Sequence, residues 1–243
     1  MQIIKLNATD STNLYLKNLM NTKSLEDYTI VATKNQTLGR GQMGTKWESE
    51  PGKNLTFSIL RKFDLEKVDH PFILNICVSL AVYTLLNTLH LPDLKVKWPN
   101  DILSGNFKIC GILIENILSG NRLVASVIGI GLNVNQTTFN NLPKVSSLKL
   151  LTAKTFDLDQ LLKEFQSVLQ QIFRELDEKG AIAMQKKYEN VLFRKNKPST
   201  FKDNGGKLFM GFIQGVSKEG RLVVALEGDI NKAFDLKEIS LLY

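Results

Sequence analysis

Cysteine and histidine are scarce in this sequence, with two of each among 243 residues. Cys77 and Cys110 stand in separate apolar stretches without a C-x-x-C pattern. They predict small buried side chains in a reducing, cytoplasmic compartment rather than a disulfide or a zinc site. His70 and His90 are too few for a His-based triad or a histidine metal site, and we expect both at the surface or at a helix end. Thiol, zinc and triad chemistry are therefore not predicted.

The sequence also lacks an apolar run of the roughly 20 residues that cross a bilayer. Its most apolar segment, FILNICVSLAVYTLL, is interrupted by Asn75 and Ser79 and predicts a buried helix. The first ten residues, MQIIKLNATD, contain no apolar core of a secretory signal. We therefore expect neither a membrane protein nor a secreted one.

Charge of one sign is not concentrated anywhere in the chain. There are 31 basic and 24 acidic residues, a net charge of +7, but the basic residues are mostly lysines scattered along the sequence. A basic nucleic-acid-binding arm is absent, and so is an aromatic platform for bases. A non-enzymatic nucleic-acid-binding protein remains an alternative because of the net charge, and it predicts binding that weakens with salt.

The hydrophobic pattern predicts helices and strands in a mixed order. Ser11, Thr12 and Asn13 precede apolar residues at helical spacing, which predicts a capped helix. A long apolar helix is predicted over 70–91 and an amphipathic one over 157–179 that ends at Gly180. β-Branched, apolar runs predict strands within DYTIVATKN, KNLTFSILRKF, LKVKWPND, ICGILIEN and NRLVASVIGIGLNVN, the last two as a hairpin.

The residue pattern of the sequence changes near residue 187. The run GGKLFMGFIQGVSKEGRLVVALEGD contains two β-rich segments around a Lys-Glu-Gly turn, and KAFDLKEISLLY adds one or two short strands. We therefore predict two domains, residues 1–186 and a small β-barrel over 187–243.

A glycine-rich loop, QTLGRGQMGTKW, has the spacing G-x-G-x-x-G at Gly39, Gly41 and Gly44. A dinucleotide-binding turn would open a helix after these glycines, but Pro51 and the next strand follow too soon for a crossover helix. A protein-kinase loop has the same spacing, but the H-R-D signature is missing. The remaining interpretations are a flexible connection or an anion-binding cradle of backbone N–H groups with nearby basic side chains.

Polar residues also stand at three predicted strand ends: Asn100 and Asp101, Lys108 with Gly111, and Asn133 after Gly129 and Gly131. Each group alone has an ordinary explanation as a turn, a surface lysine or close strand packing. Together with the glycine-rich loop they supply cations and amides, as expected where a carboxylate attacks a nucleoside triphosphate.

The motifs DSTN, GRGQMGTKW, KWPNDIL, KICGILIE and GIGLNVN stand in the order and at the spacings of the biotin–protein ligases, or biotin–(acetyl-CoA-carboxylase) ligases. The chain resembles that family over nearly its whole length. Because DSTN begins at residue 10, the resemblance is to the monofunctional type without a DNA-binding domain. It implies an α+β fold: a mixed β-sheet with packed helices, as in class II aminoacyl-tRNA synthetases, and an SH3-like C-terminal barrel.

The resemblance implies two half-reactions. Biotin and Mg-ATP give biotinyl-5′-AMP, and the biotinyl group then passes to one lysine of a biotin carboxyl carrier protein or domain. It implies no specific DNA or membrane binding, and it leaves monomer and homodimer open. The alternative is a lipoate or octanoate ligase or transferase of the same architecture, although Gln36 and the GRG loop favour biotin.

The resemblance also implies roles for individual residues. Biotin contacts are implied for Ser11, Thr12, Asn13, Gln36, Gly39, Arg40, Gly41, Lys108 and Gly111. ATP contacts are implied for Arg40, Lys46, Trp47, Asn100, Lys108 and Asn133. The implied catalytic residues are Lys108, Arg40 and Asp101.

The resemblance gives Lys108 the bridge between the biotin carboxylate and the α-phosphate, where an ammonium offsets the repulsion of two anions. Asp101 would lie near the magnesium ion and the acceptor amine, either accepting its proton or positioning it. The loop departs from more basic members of the family, since Gln42, Met43 and Thr45 are uncharged.

Overall fold

The computed structural model describes residues 2–63, 72–120, 122–140 and 142–243. Its helices and strands in chain order are β1 (Ile3–Thr9), α1 (Thr12–Thr22), β2 (Ile30–Gln36), β3 (Leu55–Lys62), α2 (Phe72–Asn87), β4 (Leu94–Lys97), β5 (Asp101–Ser104), β6 (Phe107–Ser119), β7 (Arg122–Leu132), α3 (Leu148–Thr152), α4 (Leu158–Asn190), β8 (Pro198–Asp203), β9 (Leu208–Val216), β10 (Leu222–Ala225), β11 (Asn231–Phe234) and β12 (Ile239–Leu242). None of the helices in these ranges has both the length and the apolar character needed to cross a membrane.

The chain divides into two compact units, and the first contains Met1–Asp69 and Phe107–Glu164. Its strands pair in the order β1-β2-β3-β7-β6. The β1 and β2 strands run parallel, whereas β2–β3, β3–β7 and β6–β7 are antiparallel pairs. The predicted mixed sheet and the β6–β7 hairpin are therefore confirmed.

Helix α1 packs on one face of these strands. Ser11 caps the helix by accepting a hydrogen bond from the backbone N–H of Leu14, as the sequence predicted. Leu16, fully buried, packs with Val31, Leu60 and other apolar side chains of the strands. Because side chains alternate along a strand, the polar residues farther along the same strands face the helix start. The packing of α1 thus places residues 11–13 over the sheet.

The second unit contains His70–Asn106 and Phe165–Tyr243. Helix α2 is buried on nearly every side, as its largely apolar composition predicts, and strands β4 and β5 form an antiparallel hairpin. Five antiparallel strands follow in the order β11-β10-β9-β8-β12, which confirms the predicted β-rich C-terminal module. Cys77 in this unit, like Cys110 in the first, is a buried free thiol.

Several elements differ from the prediction. The sequence analysis predicted none of β1, β5, β8 and α3; β5 and α3 have only 4 and 5 residues, and β5 lies between turn-forming residues. Helix α4 does not end at Gly180: that residue has φ 77° and ψ 169°, and helix resumes beyond it to Asn190. His90 is exposed in the turn after α2, whereas His70 lies outside the described residues. The domain boundary between 186 and 187 stays a prediction.

Candidate functional site

The candidate site lies on the face of the first unit's sheet that α1 covers. Gly111 on β6 stands opposite Gly131 on β7, and Gly129 on β7 stands opposite Ser58 on β3. Three glycines in two neighbouring strands leave the backbone bare, so that side chains from outside the sheet approach it closely. The β-carbon of any other residue at 129 would lie 2.5 Å from Oδ1 of Asn13.

The start of α1 supplies a buried polar group to this face. Ser11, Thr12 and Asn13 are each less than a tenth exposed. The backbone N–H of Thr12 donates to Oε1 of Gln36 over 2.9 Å, and the Thr12 hydroxyl lies 3.2 Å from the same oxygen. The structure therefore joins two of the predicted biotin-binding residues, Thr12 and Gln36, by hydrogen bonds, and Ser11 precedes Thr12 as the helix cap.

The glycine-rich loop folds as a small hairpin. Arg40 and Lys46 form an antiparallel bridge, the Gly41 N–H donates to the Thr45 carbonyl over 2.7 Å, and the Trp47 N–H donates to the Gly39 carbonyl over 3.0 Å. A β-carbon at Gly39 would overlap the Trp47 carbonyl and lie 2.6 Å from Nε2 of Gln36. No α-helix occurs between this loop and β3, so the dinucleotide-binding alternative is excluded, as the sequence predicted.

The hairpin delivers the indole ring of Trp47 onto the bare strands. A β-carbon at Gly131 would overlap the ring, and one at Gly111 would lie 3.2 Å from its Cζ3 atom. Nζ of Lys108 lies 5.7 Å from the ring centroid and would be 3.2 Å from the same Gly111 β-carbon. The ammonium, the indole and the two glycines thus occupy one small area of the sheet.

Lys108 is held by backbone bonds on both sides. Its N–H donates to the carbonyl of Lys144 over 2.8 Å, and its carbonyl accepts from the N–H of Ser146 over 3.0 Å. Nδ2 of Asn133 donates to the Ser146 carbonyl over 3.0 Å. The backbone of residues 144–146 therefore holds two predicted site residues, Lys108 and Asn133, by hydrogen bonds.

Two buried polar atoms at the site have no hydrogen-bond partner within the described part of the chain. They are Nε1 of Trp47, which is a donor, and Oδ1 of Asn133, which is an acceptor. Asn133 is 2% exposed. Because buried polar groups are nearly always paired, each of these two atoms is open to a partner that the described residues do not supply.

A carboxylate that the sequence did not predict also faces the site. Glu115 lies on the same face of β6 as Gly111 and accepts hydrogen bonds from Asn13 Nδ2 over 2.7 Å and from Lys17. Partial burial raises the pKa of Glu115. The hydrogen bonds from Lys17 and Asn13, together with the charges of Lys17 and Arg40, lower the pKa by more than burial raises it, so the pKa of Glu115 falls below its ordinary value. The spacing of four residues from Gly111 along a strand was the only signal in the sequence.

Comparison with known proteins identifies the family. The profile of the biotin/lipoate A/B protein ligase family matches residues 6–133, more than half of the chain. The chain belongs to this family.

Among curated members, the chain is 34% identical over 134 residues to the bifunctional ligase/repressor BirA of Bacillus spizizenii, covering 55% of this chain and 41% of that protein. It is 29% identical over 234 residues to BirA of Escherichia coli, covering 93% of this chain and 70% of that protein. The chain thus spans about two fifths of the length of the Bacillus relative. It is also 33% identical over 133 residues to the biotin–(acetyl-CoA-carboxylase) ligase of Paracoccus denitrificans, covering 53% of each.

Solved structures in the family share the fold. The biotin protein ligase from Aquifex aeolicus in complex with biotin and ATP superimposes with a TM-score of 0.82 at 26% identity, covering 99% of this chain and 98% of that one. The Helicobacter pylori biotin acetyl coenzyme A carboxylase synthetase has a TM-score of 0.67 at 22% identity and supports the fold alone. The predicted fold of a biotin ligase, with helices on a mixed sheet and a C-terminal antiparallel sheet of five strands, is confirmed.

Three further site residues predicted from the family's motifs are Asn100, Asp101 and Lys46. Asn100 and Asp101 lie in the second unit, at the beginning of β5, where Asp101 pairs with Lys97 of β4. Lys46 is exposed on the loop hairpin of the first unit. Their contacts with ATP, and the role of Asp101 toward the acceptor amine, stay predictions.

A magnesium site built by the protein alone is not supported by the side chains that the structure describes. These residues contain no group of three or more His, Cys, Asp or Glu side chains able to hold a metal ion. Magnesium is commonly bound by one or two carboxylates together with the phosphates of a nucleotide. The magnesium ion predicted near Asp101 therefore stays a prediction.

Proposed function

We propose that this member of the family is a biotin–protein ligase. It activates biotin with Mg-ATP to give biotinyl-5′-AMP and pyrophosphate, and it then transfers the biotinyl group to a lysine of a biotin carboxyl carrier protein. The observation that carries this proposal is the position of Lys108, whose ammonium lies between the bare Gly111 backbone and the Trp47 ring. The likeness to the Aquifex ligase in complex with biotin and ATP supports the same substrates.

In the first half-reaction a biotin carboxylate oxygen attacks the α-phosphorus of ATP. A carbon-bound oxygen forms the new bond to phosphorus, and the bond between that phosphorus and the bridging oxygen breaks, so that pyrophosphate leaves. Both reactants are anions, and no covalent enzyme intermediate is needed. Lys108 offsets their repulsion, and Arg40 on the loop hairpin neutralises phosphate charge.

The two ends of the adenylate call for different groups. The side chains of Thr12 and Gln36, with Ser11 adjacent in the chain, suit the ureido ring of biotin, whose donors and acceptor need partners when they are buried. The unpaired atoms of Trp47 and Asn133 suit a purine, which offers both donors and acceptors at its edge. The hairpin carrying Gly39, Arg40 and Gly41 would close over the phosphate between them.

In the second half-reaction the neutral amine of the acceptor lysine attacks the acyl carbon, and AMP leaves with the electrons of the broken carbon–oxygen bond. The amine must lose a proton before or during this attack. Asp101 is our candidate for accepting that proton, and a positioning role for Asp101 is the alternative. Asn100, beside it, is our candidate for an ATP contact.

The partners and location follow from this activity. We propose a carrier domain of a biotin-dependent carboxylase as the acceptor and the cytoplasm as the compartment. Specific DNA binding and membrane binding are not part of the proposal, and both a monomer and a homodimer are compatible with it.

The test is exchange of labelled pyrophosphate into ATP in the presence of biotin, lipoate or octanoate. A biotin–protein ligase exchanges pyrophosphate with biotin alone. Exchange with lipoate or octanoate but not with biotin would replace the proposal with the lipoate-type alternative. Isothermal titration of biotin and then ATP, with the reverse order as the control, tests whether the ligands bind in sequence.

A further inference from the structure

Glu115 is a charged residue that the proposed half-reactions do not use. Its side chain is 33% exposed and accepts hydrogen bonds from Lys17 and from Nδ2 of Asn13. An ionised carboxylate accepts hydrogen bonds and cannot donate them. The donors that surround Glu115, together with its lowered pKa, keep it ionised at neutral pH.

This acceptor fixes the orientation of the Asn13 amide. Nδ2 of Asn13 donates to Glu115 over 2.7 Å and approaches the Leu113 carbonyl at 3.4 Å, so that Oδ1 is turned toward Ser58. Oγ of Ser58 lies 2.5 Å from Oδ1 of Asn13. Asn13 and Ser58 are both buried, and a reversed amide would leave the carboxylate facing an oxygen.

The same order of donors and acceptors continues from Ser58 to Thr12. Oγ of Ser58 lies 2.7 Å from Oγ1 of Thr12. The single hydroxyl proton of Ser58 goes to Asn13, since an amide oxygen only accepts, and the Thr12 hydroxyl supplies the proton of the second bond. Oε1 of Gln36 accepts a hydrogen bond from the backbone N–H of Thr12, so Nε2 of Gln36 is the atom of this amide that can donate to a ligand.

We propose that Glu115 is a positioning residue that sets the direction of the side-chain hydrogen bonds from Asn13 through Ser58 to the Thr12 hydroxyl. The inference rests on the proposed function. It makes the Thr12 hydroxyl an acceptor toward a ureido N–H of biotin, because the hydroxyl proton is used in the bond to Ser58, and it disfavours acyl substrates that offer no N–H donor there. Asn13 thereby acts through its neighbours rather than by touching biotin.

Glu115→Gln is the primary test, because the amide of a glutamine donates to Oδ1 of Asn13 and permits the reversed order. We expect biotin to bind about tenfold or more weakly to this variant, the effect of one unsatisfied buried group. The KM for biotin should rise in parallel, with kcat at saturating biotin and the KM for ATP little changed. Glu115→Gln should also be less stable, but a purely structural role would leave the KM for biotin unchanged.

A second variant restores the order by moving the charge. In Glu115→Gln combined with Asn13→Asp, the glutamine amide donates to the aspartate, whose other oxygen still accepts from Ser58. We expect this double variant to bind biotin more tightly than either single variant, since Asn13→Asp alone places two carboxylates together. Lys17→Met is the matched control. It removes only the ion pair and should change the biotin Kd by no more than about threefold.

Two results would overturn the inference: wild-type biotin affinity in Glu115→Gln, or a double variant that binds no better than the single variants. Failure of the proposed function looks different. In that case the wild-type protein itself shows neither heat of biotin binding nor biotin-dependent pyrophosphate exchange, and the role of Glu115 falls with it.

Discussion

The indole ring of Trp47 lies in the space that a β-carbon at Gly131 would fill. The position of the Trp47 ring therefore depends on residue 131, because the ring can pack on β7 only where that strand has no side chain. Gly131 is directly opposite Gly111, so that the bare patch extends across two strands. The proposed nucleotide end of the site depends on this arrangement.

Gly131→Ala should displace the Trp47 ring and leave the fold intact. Misplacing a surface that positions a substrate reduces the rate by on the order of 10²-fold. We expect that loss in biotin-dependent pyrophosphate exchange, with an increased accessibility of Trp47 to a fluorescence quencher. Gly205→Ala is the control, since its β-carbon would lie 3.4 Å from the only neighbour, Oδ1 of Asp203. Normal exchange in Gly131→Ala would show that the ring position is irrelevant.

Lys108→Ala should abolish adenylate formation. The change removes the ammonium that lies beside Gly111 and Trp47. Loss of a group that stabilises developing charge lowers the rate by about 10²–10³-fold, and the circular dichroism spectrum should stay that of the wild type. Lys23→Ala at the exposed end of α1 controls for the loss of one lysine. If Lys108→Ala still makes biotinyl-5′-AMP at the wild-type rate, the charge-bridging role is wrong.

Arg40→Gly should weaken retention of the adenylate. Arg40 is exposed on the hairpin, where its guanidinium is available to a phosphate. Loss of a charge-assisted contact is expected to increase release by about tenfold or more. Released biotinyl-5′-AMP acylates lysines of a bystander protein, so the measurement is the biotin label on serum albumin. Arg122→Gly is the matched control at another exposed arginine, and equal labelling by all three proteins would exclude the hairpin as a lid.

The contribution of Glu115 to stability should depend on pH. Its pKa is lowered in the folded protein, since Lys17 and Asn13 donate to it and Arg40 adds positive charge, so its stabilising effect is present above about pH 4.5, the ordinary value, and is lost as the pH falls through the folded pKa. We expect Glu115→Gln to lower the free energy of unfolding by about 1–3 kcal/mol at pH 7. The difference from the wild type should shrink in urea titrations as the pH falls below 4.5. A difference that is constant over this range would contradict the linkage.

The sequence predicted the elements of the site better than the connections among them. Local patterns were sufficient for the Ser11 cap, the glycine-rich hairpin and the β6–β7 hairpin, because each depends on neighbours in the chain. Ser58 and Glu115 were not predicted as site residues. Their place beside Asn13 results from the register of β3 with β7 and of β6 with β7, which joins positions far apart in sequence.

The same limit applies to helix α4. Gly180 was expected to end the helix because glycine is common just beyond helix ends. Its φ of 77° is positive, as glycine permits, but its ψ of 169° is far from the value of about 47° in a left-handed helix cap, and helix resumes on its far side. A local stop signal identifies a break in the hydrogen-bond ladder, and tertiary packing decides whether the chain then turns away.

The backbone of 144–146 has a consequence for engineering. By sequence this stretch belongs to a loop between β7 and α3, where insertions and deletions are usually harmless. Here its carbonyls and N–H groups grip the lysine at 108 and the amide at 133 together. Shortening it by one residue would therefore displace both predicted site residues at once, so grafts or tags are better placed elsewhere.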